Sequence, residues 1–316
     1  MRMKAQNGRR EHRGIFSLDS ELSFLGEEPE LDVASLGAGL WTVSDGRYRT
    51  VFAEGTSSVV AWDTFRSPGR ARAYAAAIKS TVPGKPLRTV VISNDHLDRS
   101  GFGADLAPEA DILAHEWADA VIRVRGADGQ LPANRALRGG RNALELDGVR
   151  VELIYPGPTS ATGNLATYFP HQKVLYFPET VLPNARYSML PDYHIRNFSR
   201  SIRSLLSLDF DTFVPGRYAV MDRRQFERAC DYFDAVHEAS QGAFAESVAV
   251  WLLDATEAHV KGRLRAEWGD LDGFDEHVGI MAFRIAHHYL MGGWSLEDTD
   301  TGELNLAGAA GLEPRP

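Results

Sequence analysis

The run Ser93-Asn94-Asp95-His96-Leu97-Asp98-Arg99-Ser100-Gly101 is where side chains of several chemistries crowd together. It follows Thr89-Val90-Val91-Ile92-Ser93, a continuous apolar strand of the kind buried on both faces of a sheet. Polar residues just past the carboxyl end of such a strand point into the crevice where open α/β sheets bind ligands. Taken alone the loop is a weak signal. The other candidates are weaker still. His287 and His288 are neighbours in an expected helix, point to different faces and do not share one ion easily, so they read as packing or surface residues. His115 and His171 read as hairpin or surface residues. Cys230 stands alone in a helical context and reads as a buried structural thiol; a single cysteine excludes an internal disulfide and any cysteine-cluster metal site.

The elements that must hold this loop are legible around it. Leu40–Val43, Tyr48–Phe52 and Ser58–Trp62 are short β-branched or aromatic runs, with turns at Asp45-Gly46 and Glu54-Gly55, and predict an antiparallel meander. A helix is expected over 70–80, closed by Pro83-Gly84, and with the strand at 89–93 it makes a βαβ crossover. The grammar then repeats. Strands at 143–146 and 149–154 flank Asp147-Gly148, strands at 165–169 and 173–177 flank Pro170-His171-Gln172, and a helix over 199–208, with Ser199 as N-cap, leads to a strand at 212–214. Two such halves predict two sheets packed between helices.

Helices are expected over 223–240, 243–268 and 274–291, with Val248, Trp251, Leu252 and Ala255 forming one apolar stripe and Trp251, Trp268 and Trp294 packing the appendage. The organisation read from this is a disordered tail at 1–30, a domain at 31–240, a helical extension at 241–298 serving as dimer interface or lid, and a flexible tail at 299–316. The 316 residues are 44% apolar and carry a formal charge of −9 without a basic cluster, which disfavours nucleic acid. No apolar run is long enough to span a membrane and no secretory leader is visible, so a cytoplasmic protein is expected.

Between about residues 39 and 236 the chain resembles the metallo-β-lactamase superfamily. Asp63 after Val59–Trp62 resembles the aspartate of its "(V/I)D(T/S)" element; the loop at 94–99 stands where the family has His-x-His-x-Asp-His; Gly157–Asn164 resembles "G-x-x-H-(S/T)-x-G-N"; Glu179 stands at the bridging carboxylate; and Val214-Pro215-Gly216-Arg217 resembles "V-x-G-H". The resemblance implies an α/β fold, the αββα sandwich of that superfamily, with a C-terminal helical extension. Carried over position by position, its first metal site becomes Asn94, His96 and Ser160, and its second Asp98, Arg99 and Arg217, with Glu179 between them.

Of these, His96, Asp98 and Glu179 can ligate a divalent metal well. The resemblance thus leaves two arrangements open. One holds a single zinc or other divalent ion on His96, Asp98 and Glu179. The other, favoured, uses no cofactor: Arg99 and Arg217 balance Asp98 and Glu179 as two guanidinium groups against two carboxylates. In that arrangement Arg99 and Arg217 grip an anionic or carbonyl-bearing small molecule, His96 shuttles protons and Asp98 orients it or acts as base. Asn94, Ser160, Asn164 and His194 line the substrate cleft. The expected activity is that of a hydrolase or lyase on a small organic substrate, with a catalytically silent binding protein as the alternative. A small-molecule substrate and a homodimer through the C-terminal helices are the expected partners.

Overall fold

The computed structural model describes residues 30–187, 190 and 192–291. Of the tail expected at 1–30 only Glu30 is described; the tail at 299–316 and Trp294 lie outside the described residues. Seven strands form the first sheet in sequence order: β1 (Asp32–Gly37), β2 (Leu40–Ser44), β3 (Arg49–Glu54), β4 (Val59–Trp62), β5 (Leu87–Ile92), β6 (Asp111–His115) and β7 (Arg135–Leu137). The first four pair antiparallel, and β4 to β7 pair parallel. The second sheet runs β13 (Met221–Asp222), β12 (Thr212–Pro215), β11 (Val174–Phe177), β10 (Ala166–Phe169), β9 (Val149–Ile154), β8 (Arg141–Leu146), with β11 and β12 parallel.

The period of two along each strand builds the layers. In β4, Val60 and Trp62 face the second sheet, where Trp62 meets Phe169 edge-on and its indole N–H donates to Thr167 Oγ1 at 2.8 Å. Val59 and Ala61 face the other way, toward α1 (Pro68–Thr81), whose Tyr74 and Ile78 cover the sheet. In β11, Val174 and Tyr176 point into the space between the sheets, while Leu175 and Phe177 point to the far helices. Those helices are α5 (Ile195–Ser204), α6 (Arg223–Ala245), α7 (Leu253–Trp268) and α8 (Phe274–Leu290). The result is helix, sheet, sheet, helix, as expected. The first layer also holds α4 (Glu116–Arg125), and two one-turn helices, α2 (Leu97–Ser100) and α3 (Gly103–Leu106), follow β5. None of the helices described is long and apolar enough to cross a membrane.

Several local expectations are corrected. The helix expected over 199–208 begins at Ile195 because Ile195, Phe198 and Ile202 form its buried stripe. Ser199 is inside it, and its hydroxyl donates to Asp234 rather than capping the helix. The helix expected to end at Ser240 runs on to Ala245, since Ser240 is buried and its hydroxyl donates to the Val236 carbonyl at 2.6 Å. The helix expected over 243–268 is split, so Val248, Trp251, Leu252 and Ala255 do not share a stripe. Trp251 is 62% exposed in the turn, whereas Trp268 packs on Tyr232. The core that α5 and the second sheet share continues without interruption into α7 and α8 through Val260, Val278, Met281 and Ile285.

His115, expected in a hairpin or at the surface, is buried at the end of β6. Its ring stacks on Tyr155 with centroids 4.2 Å apart, and it caps α4 by accepting from Trp117 N. Burial lowers the His115 imidazole to about 4. His237, 2.7 Å from the Tyr289 hydroxyl, is also pushed down to about 4, by burial first and then by the charges of His288 and Arg196. Both rings are neutral in the fold and take up a proton on unfolding below their ordinary value of about 6.5. Stability should therefore fall as pH drops from about 6.5 to about 4, and His115→Gln should make that fall shallower in thermal melts taken across the interval.

Candidate functional site

The site lies where β5, β11 and β12 end. β4 ends in Asp63, whose backbone is left-handed at φ +55° and whose carboxylate accepts from Ser93 N and Ser93 Oγ, each at 2.8 Å, and from the Tyr176 hydroxyl. This anchor fixes the start of the polar loop. The loop is pinned further by Asn94 Oδ1, which accepts from His96 N at 3.1 Å, and by Arg125 of α4, which donates to the Asp95 carbonyl and to its carboxylate at 3.0 Å. Gln130 adds a bond to the Asp95 carbonyl at 3.2 Å. With the loop so held, His96, Asp98 and Arg99 have fixed origins.

Asp98 and Arg217 come together, as expected. Arg217 Nη2 donates to Asp98 Oδ2 at 2.9 Å, and its guanidinium lies 4.3 Å from the Tyr48 ring centroid. Burial disfavours the Asp98 charge, but Arg99, Arg217 and His96 outweigh it and hold the carboxyl below the usual range. His96 is on the same rim, with Nε2 4.0 Å from Asp192 Oδ2. These four side chains keep some exposure, from 16% at Asp98 to 47% at Asp192. Asp192 and Tyr48 were not picked out as site residues. A loop aspartate and a hairpin tyrosine carry no local signal, and only the approach of Asp192 and of the β2–β3 turn to this edge reveals them.

Arg99 behaves otherwise than expected. It is 3% exposed and does not balance Glu179. Its Nη1 donates to the Arg49 carbonyl at 3.1 Å, and its Nη2 to the carbonyls of Pro178 at 3.1 Å and Gly216 at 2.6 Å, with Asp63 the nearest paired carboxylate at 3.8 Å. Gly216 has no room for a side chain: a Cβ there would overlap the Pro178 carbonyl and the Arg99 guanidinium. Glu179 meets neutral donors, accepting on one carboxylate oxygen from Thr159 Oγ1, from Ser160 N at 3.1 Å and from Ser160 Oγ at 2.8 Å. The expected balance of two guanidiniums against two carboxylates therefore reduces to one pair, Asp98 with Arg217.

Asn94 and Asn164, expected in the substrate cleft, are buried and satisfied. Asn94 Nδ2 donates to Asn164 Oδ1 at 2.9 Å, and Asn164 Nδ2 donates to Thr159 and to the Ala161 carbonyl. They hold two loops together. Ser160 is half-buried with its hydroxyl turned to Glu179. His194 is half-buried, precedes α5 and donates its backbone N–H to the Thr159 carbonyl at 2.8 Å.

A resident divalent ion, which the family resemblance implies, needs three or four converging donors with open lone pairs. His96, Asp98 and Glu179 do not supply them: Asp98 is paired with Arg217, Glu179 accepts three hydrogen bonds, and a permanent buried cation, Arg99, adjoins Asp98. Among the described residues no three His, Cys, Asp or Glu side chains are grouped to hold a metal. The residues present do not fit the ion. Two measurements check this. Protein purified without chelator should carry well under one zinc per chain, and a content near two would overturn the reading. Arg217→Met should strand Asp98 and destabilise by about 2–4 kcal/mol, somewhat discounted for its partial exposure. Because the carboxyl is held low in the fold, that difference should be full above about pH 4 and shrink below it as Asp98 takes up its proton.

No protein-family model matches the chain. It is 40% identical over 289 residues to the 2,4-dinitroanisole O-demethylase subunit alpha of Nocardioides sp. (strain JS1661), covering 91% of this chain and 88% of that protein. To the subunit beta from the same strain it is 37% identical over 274 residues, covering 86% of each. Among solved structures, the DIM-1 metallo-β-lactamase superposes with a TM-score of 0.57 at 19% identity, covering 66% of this chain and 98% of that one. A metallo-β-lactamase from Pontibacter korlensis gives 0.57 at 14%, covering 65% and 99%. At such identities the solved structures speak for the fold alone, and the expected sandwich is the one found. The sequence relatives say more, and the chain belongs to the family of the 2,4-dinitroanisole O-demethylase subunits, on a metallo-β-lactamase fold.

Proposed function

We propose that the chain is a subunit of a hydrolase that splits an electron-poor aromatic methyl ether at the edge of the sandwich. The observation that carries this reading is the Asp98–Arg217 pair beside His96, accessible at the ends of the strands. The kinship with two O-demethylase subunits supports the substrate class. Water attacks the ring carbon that bears the methoxy group, and His96 takes the proton from that water. The electron pair moves into the ring and its electron-withdrawing groups, where the Arg217 guanidinium faces the new negative charge. Asp98, held ionised, steadies the imidazolium of His96. The carbon–methoxy bond then breaks and the methoxy oxygen takes the proton back, so that ether and water become phenol and methanol with no oxidant. Exposed Trp251 and Leu252 in the turn before α7, with Leu253 at its start, support assembly with a second subunit of the same fold, a second copy of the chain.

The test uses 2,4-dinitroanisole in water enriched in oxygen-18. The label should appear in the phenol and the other product should be methanol. Formaldehyde, or label in the methanol, would overturn the mechanism. His96→Gln should lower kcat/KM by about 10²–10⁴, and Arg217→Met by about 10²–10³.

A further inference from the structure

We infer that the Arg99 guanidinium is the built-in cation that assembles this site, doing mechanically what a bound metal ion would do and acting as a positioning residue for the Asp98–Arg217 pair. Three strand ends converge on it. Arg49 opens β3 in the first sheet, Pro178 and Gly216 close β11 and β12 in the second, and each offers its carbonyl oxygen to the fork. Two of these acceptors directly precede side chains of the site, Glu179 and Arg217. The same three segments are stitched to one another: Arg49 N donates to the Gly216 carbonyl at 2.9 Å, Gly216 N to the Glu179 carbonyl at 3.2 Å, and Tyr48 pairs with Arg217 as an isolated bridge.

Arg99 itself sits on α2 next to Asp98, so one short helix supplies both the brace and the carboxylate that Arg217 meets. Asp63 at 3.8 Å and the Tyr48 ring at 5.7 Å complete its surroundings. Convergence of several oxygens from separate segments on one buried positive charge is how a metal ion organises a site. Here the charge is covalently attached, planar and never lost by deprotonation. A lysine ammonium gathers its donors at a single point and cannot span three carbonyls in one plane.

This inference does not rest on the proposed reaction, and its test uses no substrate. The full chain carrying Arg99→Ala should melt about 10 °C lower. Guanidinium chloride in the low millimolar range should restore most of that loss, while ammonium and zinc should not; the unmodified chain is the control. Zinc restoring the melting point, or guanidinium failing to, would overturn the inference. Arg99→Lys, which keeps the buried charge, covers the case in which Arg99→Ala does not fold. In that background the Asp98→Asn and Arg217→Met substitutions should become additive in melting point, whereas in the unmodified chain they should be coupled. Coupling that survives Arg99→Lys would sink the positioning role. Loss of hydrolysis with these results intact would count against the proposed reaction alone.

Discussion

A guanidinium cannot shed its proton, so once Arg99 is buried its N–H groups must find acceptors inside the protein. The fold meets that demand with backbone carbonyls, which stay fixed as long as the strands do. The carbonyl-lined junction in turn sets where β3, β11 and β12 end relative to one another. The polar loop after β5 inherits its position from this junction and from the Asp63 anchor, and the open side chains inherit theirs from the loop. What looks like a cleft decorated with charges is the outer face of a satisfied, buried polar network.

The side chains that remain accessible alternate in sign along the rim: Arg217, Asp98, His96, Asp192. Asn94 faces inward and ties its loop to that of Asn164, whereas His96 and Asp98 on the same loop keep some exposure. Neutral donors around Glu179 serve the inner part, tying the 159–160 segment to the end of β11 without adding charge.

Much of this was legible in the chain. Short, almost wholly apolar runs at β4, β5 and β11 marked strands buried on both faces, and the polar run past Ile92 marked the edge where the charged side chains lie. Arg217 opposite Asp98 followed from the resemblance alone. Arg99 was misread because side-chain type tells what a residue can bind, not which backbone oxygens the fold will bring to it. His115 was misread for a related reason: an imidazole at a strand end looks exposed until Tyr155, forty residues on, stacks over it. The strands β1, β6 and β7 gave little pattern. β1 is largely exposed, and β7 is three residues long. The break between α6 and α7 left no proline to announce it, and Gly242 lies inside α6.

The lack of a side chain at Gly216 is what lets the Pro178 carbonyl and the Arg99 fork close on it. The two positions, far apart in the chain, therefore cannot drift independently. A side chain at 216 would still press on the Pro178 carbonyl even with the arginine removed, and removing the arginine would leave three inward carbonyls without their donor. The smallest residue at this edge therefore sets how closely the ends of β11 and β12 and the arginine between them can approach one another.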